Sequence, residues 1–254
     1  MRDFAIALWL LVGLPLFGCG HGQSPSVAEP SSIGATQPSA RLLREEDTAE
    51  PEAEQEAIAA SSHPPVQFTD ACTCVNNHGV WRWTAKTEQD QPPLNIPQQN
   101  ELTPSQMAAW NGPGGQFTID TPRAGKEVQW YRMTGRVTKI RAEADGDIHI
   151  QLMDADGNSD VQVVVEVPLG APWCNIRKQV VSWTGAHFPF STKSGVALSL
   201  KKRPVIQVTG RAFYDAEHAP GHDSTSNLRS DEPGQVAVWE IHPIMMLTVQ
   251  ADGQ

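Results

Sequence analysis

Six side chains of metal-ligand type stand in the second half of the chain: Asp147, His149, Asp215, His218, Glu240 and His242. Imidazoles mixed with carboxylates suit a first-row transition ion if they converge. The loop after Tyr214 adds Glu217, His222 and Asp223, with His218 and His222 four residues apart. Taken singly, such residues are more often polar residues on a solvent-facing strand side or in a hydrogen-bonding turn than ligands. Three of them within ligand reach would favour a metal, and dispersal would end that reading. No phosphate loop, nucleophile elbow or Ser-His-Asp spacing stands out, and the expectation is no cofactor, with a divalent metal as the alternative these residues suit. Asp154-Ala-Asp-Gly-Asn-Ser-Asp160 falls short of a calcium loop, because its glycine is at the fourth place and Glu166 lies beyond the twelfth. A hairpin turn accounts for it.

The elements that must position these residues are strands. Val128 to Ala142 reads as a long strand with Gly135 as a bulge or bend. Asp145-Gly146 turns it into a second, Asp147 to Met153, and Asp154 to Asp160 turns that into a third, Val161 to Pro168. A helix is expected at Asn175 to Trp183. Pro204 to Tyr214, with Gly210 inside it, and Gln235 to Val249 complete five strands. Ile148, Ile150 and Leu152 alternate with Asp147, His149 and Gln151, and Trp239 and Ile241 oppose Glu240 and His242. Three strands, a helical insert and two more strands is the order of an OB-fold barrel, whose curvature glycines and bulges supply. The expectation is an all-β, mainly antiparallel, five-stranded OB-fold-like barrel with short helices over residues 128–250. Ahead of it, residues 67–127 form an extension with a short strand at Gly79 to Thr84 and a short helix. Thr103 caps that helix, Pro104 opens it and Gly112 ends it.

Two resemblances attach to these motifs. Asp145-Gly-Asp-Ile-His149, Val208-Thr-Gly-Arg-Ala-Phe-Tyr-Asp-Ala-Glu-His218 and Trp239-Glu-Ile-His-Pro243 are similar to motifs of a group of uncharacterised exported bacterial proteins. That group shares a DGDIH-type strand, a TGxxFxDxxH segment and a closing ELHP-type strand, so the likeness implies a fold and leaves the activity open. Trp239 and the insertion from Asp223 to Gly234 depart from its pattern. Asp145-Gly146-Asp147 also resembles the DGD at a strand start in staphylococcal-type nucleases, which use the same barrel. That would imply metal-held carboxylates and charge-stabilising arginines. The third strand offers only Glu166 and Pro168 towards it.

The amino terminus reads as an export signal. Phe4 to Phe17 is apolar and uncharged, too short to span a bilayer, which needs roughly 20 apolar residues, and of the length of a secretory core. Leu16-Phe17-Gly18-Cys19 resembles the lipobox of bacterial lipoproteins, which implies removal of residues 1–18 and lipidation of Cys19. Each methylene of an attached acyl chain contributes about 0.8 kcal/mol of membrane affinity. Gly20, by the same resemblance, implies the outer membrane. Residues 19–66 read as a disordered acidic tether rich in Pro and Ser, with eight acids against Arg41 and Arg44. The tether therefore carries −6 of the net −10, and a mildly acidic domain lacks the basic footprint of nucleic-acid binding.

Three cysteines remain after lipidation. In an oxidising compartment Cys72 or Cys74 can pair with Cys174, leaving one thiol over. The expected function is thus a membrane-anchored, non-catalytic binding protein of the envelope, held to the membrane by lipid. Its partner would be an envelope protein, a peptide or a glycan. The alternative is a metal-dependent hydrolase or nuclease-like enzyme.

Overall fold

The computed structural model describes residues 65–72 and 79–253. Cys19, the lipobox, the tether up to residue 64 and Cys74 lie outside the described residues.

The described chain is mostly strand. β1 (Val66–Phe68) and β2 (Glu101–Leu102) are short, and β3 (Trp130–Ala142), β4 (Ile148–Met153) and β5 (Gln162–Val167) follow as a meander. After β6 (Phe190–Thr192) come β7 (Val205–Tyr214) and β8 (Val236–Ala251). β3, β4, β5, β8 and β7 are hydrogen-bonded in that order, and β7 returns to β3, which closes a five-stranded barrel. β5 and β8 run parallel and the other barrel pairs are antiparallel, the arrangement of an OB-fold.

The barrel interior takes one face of each strand. Met133 and Val137, Ile148, Ile150 and Leu152, Val163 and Val165, Ile206 and Val208, and Trp239 and Ile241 make one buried cluster. Helix α3 (Cys174–Val181) stands between β5 and β7 and adds Val180 and Val181 to that cluster, with Trp173 just before it. The Trp173 indole N–H donates to the Ile244 carbonyl at 3.0 Å, so the helix entry is fastened to β8.

Curvature is placed where the ladder slips. β7 and β8 change register at Thr209/Gly210 and again at Gly210/Ala212. At Gly210 a Cβ would lie 2.3 Å from the Pro243 carbonyl oxygen and 2.5 Å from Ile241 Cγ2. Gly210→Ala is therefore expected to lower stability by about 1–3 kcal/mol through overpacking, read as a shift in the urea midpoint. In β3 the slip falls between Val137 and Lys139 and not at Gly135.

The extension and the start of the barrel differ from their sequence reading in three places. Gly79 to Thr84, with its alternating Trp81 and Trp83, is a turn leading into helix α1 (Trp83–Lys86) and not a strand. Arg82 sits in the left-handed region at φ 45°, held by Glu127, whose two oxygens accept from its guanidinium at 2.8 Å each. Tertiary pairing of one arginine overrides the period-two pattern around it. Helix α2 (Pro104–Ala108) has the Thr103 cap, in a full capping box with Gln106, and it ends by Ala109 rather than at Gly112. The strand expected from Val128 begins at Trp130, after a 3-10 turn over Gly125–Val128.

β1 pairs with β6 and packs Phe68 on Phe190 with ring centroids 4.7 Å apart. A disulfide joins Cys72, just past β1, to Cys174 at the start of α3. No helix among the described residues is long and apolar enough to cross a membrane.

Candidate functional site

The alternation in β4 sends Ile148, Ile150 and Leu152 inward and leaves Asp147, His149 and Gln151 on the outer face. That face would ordinarily be wet, yet all three are buried. Cross-strand register extends it: His149 faces Glu166 on β5, and Val164 faces Glu240 on β8, which brings His242 level with Glu166. Glu166, Glu240 and His242 are buried as well.

Two covers do this. The loop from Asp215 to Gln235 lays Arg229 and Glu232 over the strands. Arg229 bonds Glu240 and Asp215, and Glu232 takes Arg141, Lys139 and the Gln151 amide. On the other flank the Arg82 guanidinium stands 4.6 Å over the Phe213 ring, which in turn lies 5.5 Å from the His242 ring. The Asp145-Gly146-Asp147 turn closes a third side. Gly146 has φ +90° and a Cβ there would strike Leu169 at 2.1 Å, so only glycine lets the turn seat against the Leu169 loop.

At the centre, ligand atoms of Asp147, Glu166 and His242 lie within 4.8 Å of one another. His242 Nε2 is 3.2 Å from Asp147 Oδ2, and its Nδ1 is 3.0 Å from Glu166 Oε2 and 3.5 Å from Glu240 Oε2. None of these contacts is aligned as a hydrogen bond. Asp147 Oδ2, Glu240 Oε2 and both His242 nitrogens are buried without a hydrogen-bond partner.

The carboxylates share a pattern. Asp147 Oδ1 accepts from the Leu169 N–H at 3.3 Å, Glu166 Oε1 meets His149 Nδ1 at 2.9 Å, and Glu240 Oε1 is held by Arg229. In each, the protein grips one oxygen and turns the other towards the His242 ring.

Electrostatics follow from this crowding. Burial and the neighbouring Glu166 charge push Glu240 up to about 7, against the pull of Arg229. Burial, Asp147 and Glu166 likewise push the partly exposed Asp145 up to about 7. Burial opposes a charged His242, but the Glu166 and Asp147 carboxylates outweigh it and hold the ring well above the usual range. His149 moves the other way, because burial dominates and lowers its pKa. Burial also opposes the Lys86 ammonium, and the summed field of Asp215, Glu166, Asp145 and Glu240 overcomes it and raises its pKa.

Of the six residues singled out in the sequence, Asp147 and His242 are within mutual reach, and Glu240 borders them. His149 touches the centre only through Glu166. Asp215 and His218 form a separate dyad on the covering loop, where His218 Nδ1 bonds Asp215 and Nε2 lies 3.4 Å from Asp231. Glu166 completes the convergent set in place of the dyad. Its position opposite His149 was encoded in the register of the hairpin that turns at Asp154 to Asp160.

The dyad titrates in its own right. Burial weighs against a charged His218, but bonding to Asp215 raises it to about 9 from an ordinary 6.5. A histidine raised on folding contributes stability that is complete below pH 6.5 and lost as pH rises through 9. His218→Gln should therefore flatten the fall in Tm between pH 6.5 and 9.5. Equal slopes in variant and wild type would remove the dyad's contribution.

Compared with protein-family models, with curated proteins and with solved structures, the chain finds no match in any of the three.

Proposed function

We propose that the protein is a lipid-anchored, non-catalytic binding protein of the bacterial envelope that holds its ligand on the outer face of β4, β5 and β8. The observation that carries this is the set of orphaned buried atoms on that face: Asp147 Oδ2, Glu240 Oε2 and both His242 nitrogens. Their ion-pair contacts with one another offset part of the cost of burial, and a ligand bonded to them would offset more of it. The second and third barrel strands, with the loops joining strands one to two and four to five, are where OB-folds commonly bind. Here those loops supply Asp145 and Arg229. A face so fully covered favours a small ligand over a peptide or glycan chain.

The anchoring half of the proposal rests on Leu16-Phe17-Gly18-Cys19 and the acidic stretch behind it. Radiolabelled palmitate should mark the wild-type chain and sediment with outer membrane, and Cys19→Ala should lose the label and appear in the soluble periplasmic fraction. The binding half is tested by native mass spectrometry of the detergent-solubilised full chain. A non-covalent adduct that vanishes on denaturation is expected, and a bare chain would count against the reading.

One observation favours a hydrolase as second reading. Asp147 and Glu166, from the DGD turn and the third barrel strand, offer oxygens within metal reach of each other, as the nuclease-like motif would require. Against it, Arg177 spends its guanidinium on the carbonyls of Val167, Pro168 and Gly146, and Arg229 is engaged by Glu240 and Asp215. Turnover of bis-p-nitrophenyl phosphate with added Mn2+, lost in Asp147→Asn, would decide for hydrolysis.

A further inference from the structure

We infer that Asp147, Glu166 and one nitrogen of His242 bind a single divalent transition-metal ion. The inference rests on reading the outer barrel face as a ligand site and names the ligand. Three features of the geometry support it independently of the acidic character of the cluster.

First, the inward-facing donors meet only one another, as ion pairs without hydrogen-bond alignment. His242 is 0 % exposed, and neither ring nitrogen has a hydrogen-bond partner. An imidazole placed among carboxylates for structure alone would be expected to donate to them in line; this ring lies beside them at 3.0 and 3.2 Å without alignment.

Second, the supporting contacts are those a metal site needs. Leu169 N–H on Asp147 Oδ1, His149 on Glu166 Oε1 and Arg229 on Glu240 Oε1 fix each carboxylate and leave its other oxygen inward. Outer partners of this kind orient ligands and are a regular part of such centres.

Third, the spacing is close to that of a filled site. Ligand atoms about 2.0–2.2 Å from a common ion stand at most about 4.4 Å apart. The three residues offer atoms within 4.8 Å of one another, so an inward rotation of these side chains brings them into a common shell. An imidazole with two or three carboxylate oxygens selects Mn2+, Fe2+ or Zn2+ over Mg2+ and Ca2+, which prefer all-oxygen shells, and the absence of thiolate from the set disfavours Cu+.

The test uses the full chain, freed of metal by chelator, with Mn2+ alone as probe, because a spare thiol would compete for Zn2+. Titration followed by the loss of free-Mn2+ electron paramagnetic resonance signal should show one equivalent bound. Pulsed spectra should show one directly coordinated 14N. Asp147→Asn and Glu166→Gln should weaken binding at least about 100-fold, and His218→Gln should leave it unchanged.

Uptake below a tenth of an equivalent at millimolar Mn2+ by a chain with intact circular dichroism would overturn the inference. So would bound Mn2+ lacking 14N coupling, which also covers variants that fail to fold. If Mn2+ is refused but the native chain carries an organic adduct, the metal inference falls and the binding reading stands. If neither is bound, both fall.

Discussion

Arg229→Met is expected to destabilise the domain by about 3–5 kcal/mol, because it breaks a buried ion pair from one side only. Arg229 bonds the Glu240 and Asp215 carboxylates and donates from Nε to the Ala237 carbonyl at 3.0 Å. All three side chains are within a few per cent of full burial. Methionine fills the volume but leaves Glu240 without its cation and Asp215 with His218 alone.

The loss should depend on pH. Glu240 is already held up at about 7, and without the guanidinium it rises further. A carboxyl raised on folding favours the folded state below its unfolded pKa of about 4.5 and opposes it as pH rises through the folded value. The deficit in urea-derived stability should therefore be larger at pH 8 than at pH 5. Adding Glu240→Gln to Arg229→Met should recover part of it. A deficit under 1 kcal/mol at pH 8 would mean that Arg229 does not hold the outer face together.

Opening the Cys72–Cys174 bond has the second large expected effect. It spans 102 residues of sequence and ties β1 to the start of α3. Loop-closure entropy puts such a crosslink at about 4–5 kcal/mol in the unfolded state, as an upper figure. For a domain of this size each kcal/mol moves Tm by about 2–4 °C, so reduction should lower Tm by on the order of 10 °C. Cys72→Ala and Cys174→Ala should each reproduce the reduced protein, and Cys74→Ala should not. Equal Tm values with and without reductant would show that the β1–β6 ribbon and its stacked phenylalanines fasten the chain unaided.

Much of the barrel was legible in the sequence because its strands carry their own signals. Alternation in Asp147 to Leu152, the DG and DADGNSD turns and the internal Gly210 fix element type, order and one bulge from local chemistry alone. Gly79 to Thr84 was misleading for the opposite reason. Its alternating tryptophans look like a strand, but its conformation is set by Arg82 pairing with Glu127, 45 positions away.

The site was half legible. The ligand types were visible one by one, but their burial was not, because the polar side of an alternating strand normally meets water. Here the loop between β7 and β8 carries Arg229 and Glu232 onto that side and seals it. Glu166 escaped the sequence reading of the metal set because it sits in an otherwise apolar run, Val163-Val-Val-Glu-Val167. The signal that could have found it is hairpin register, which pairs it with His149.

The central claim is that the sealed outer face holds an ion, and anomalous diffraction tests it most directly. Crystals of the chain grown with Mn2+, measured above the manganese edge, should show a single strong peak between Asp147 Oδ2, Glu166 Oε2 and the His242 ring. A map with no peak there, and a His242 imidazole aligned to donate to both carboxylates, would contradict it and leave the cluster as a charge network serving the fold alone.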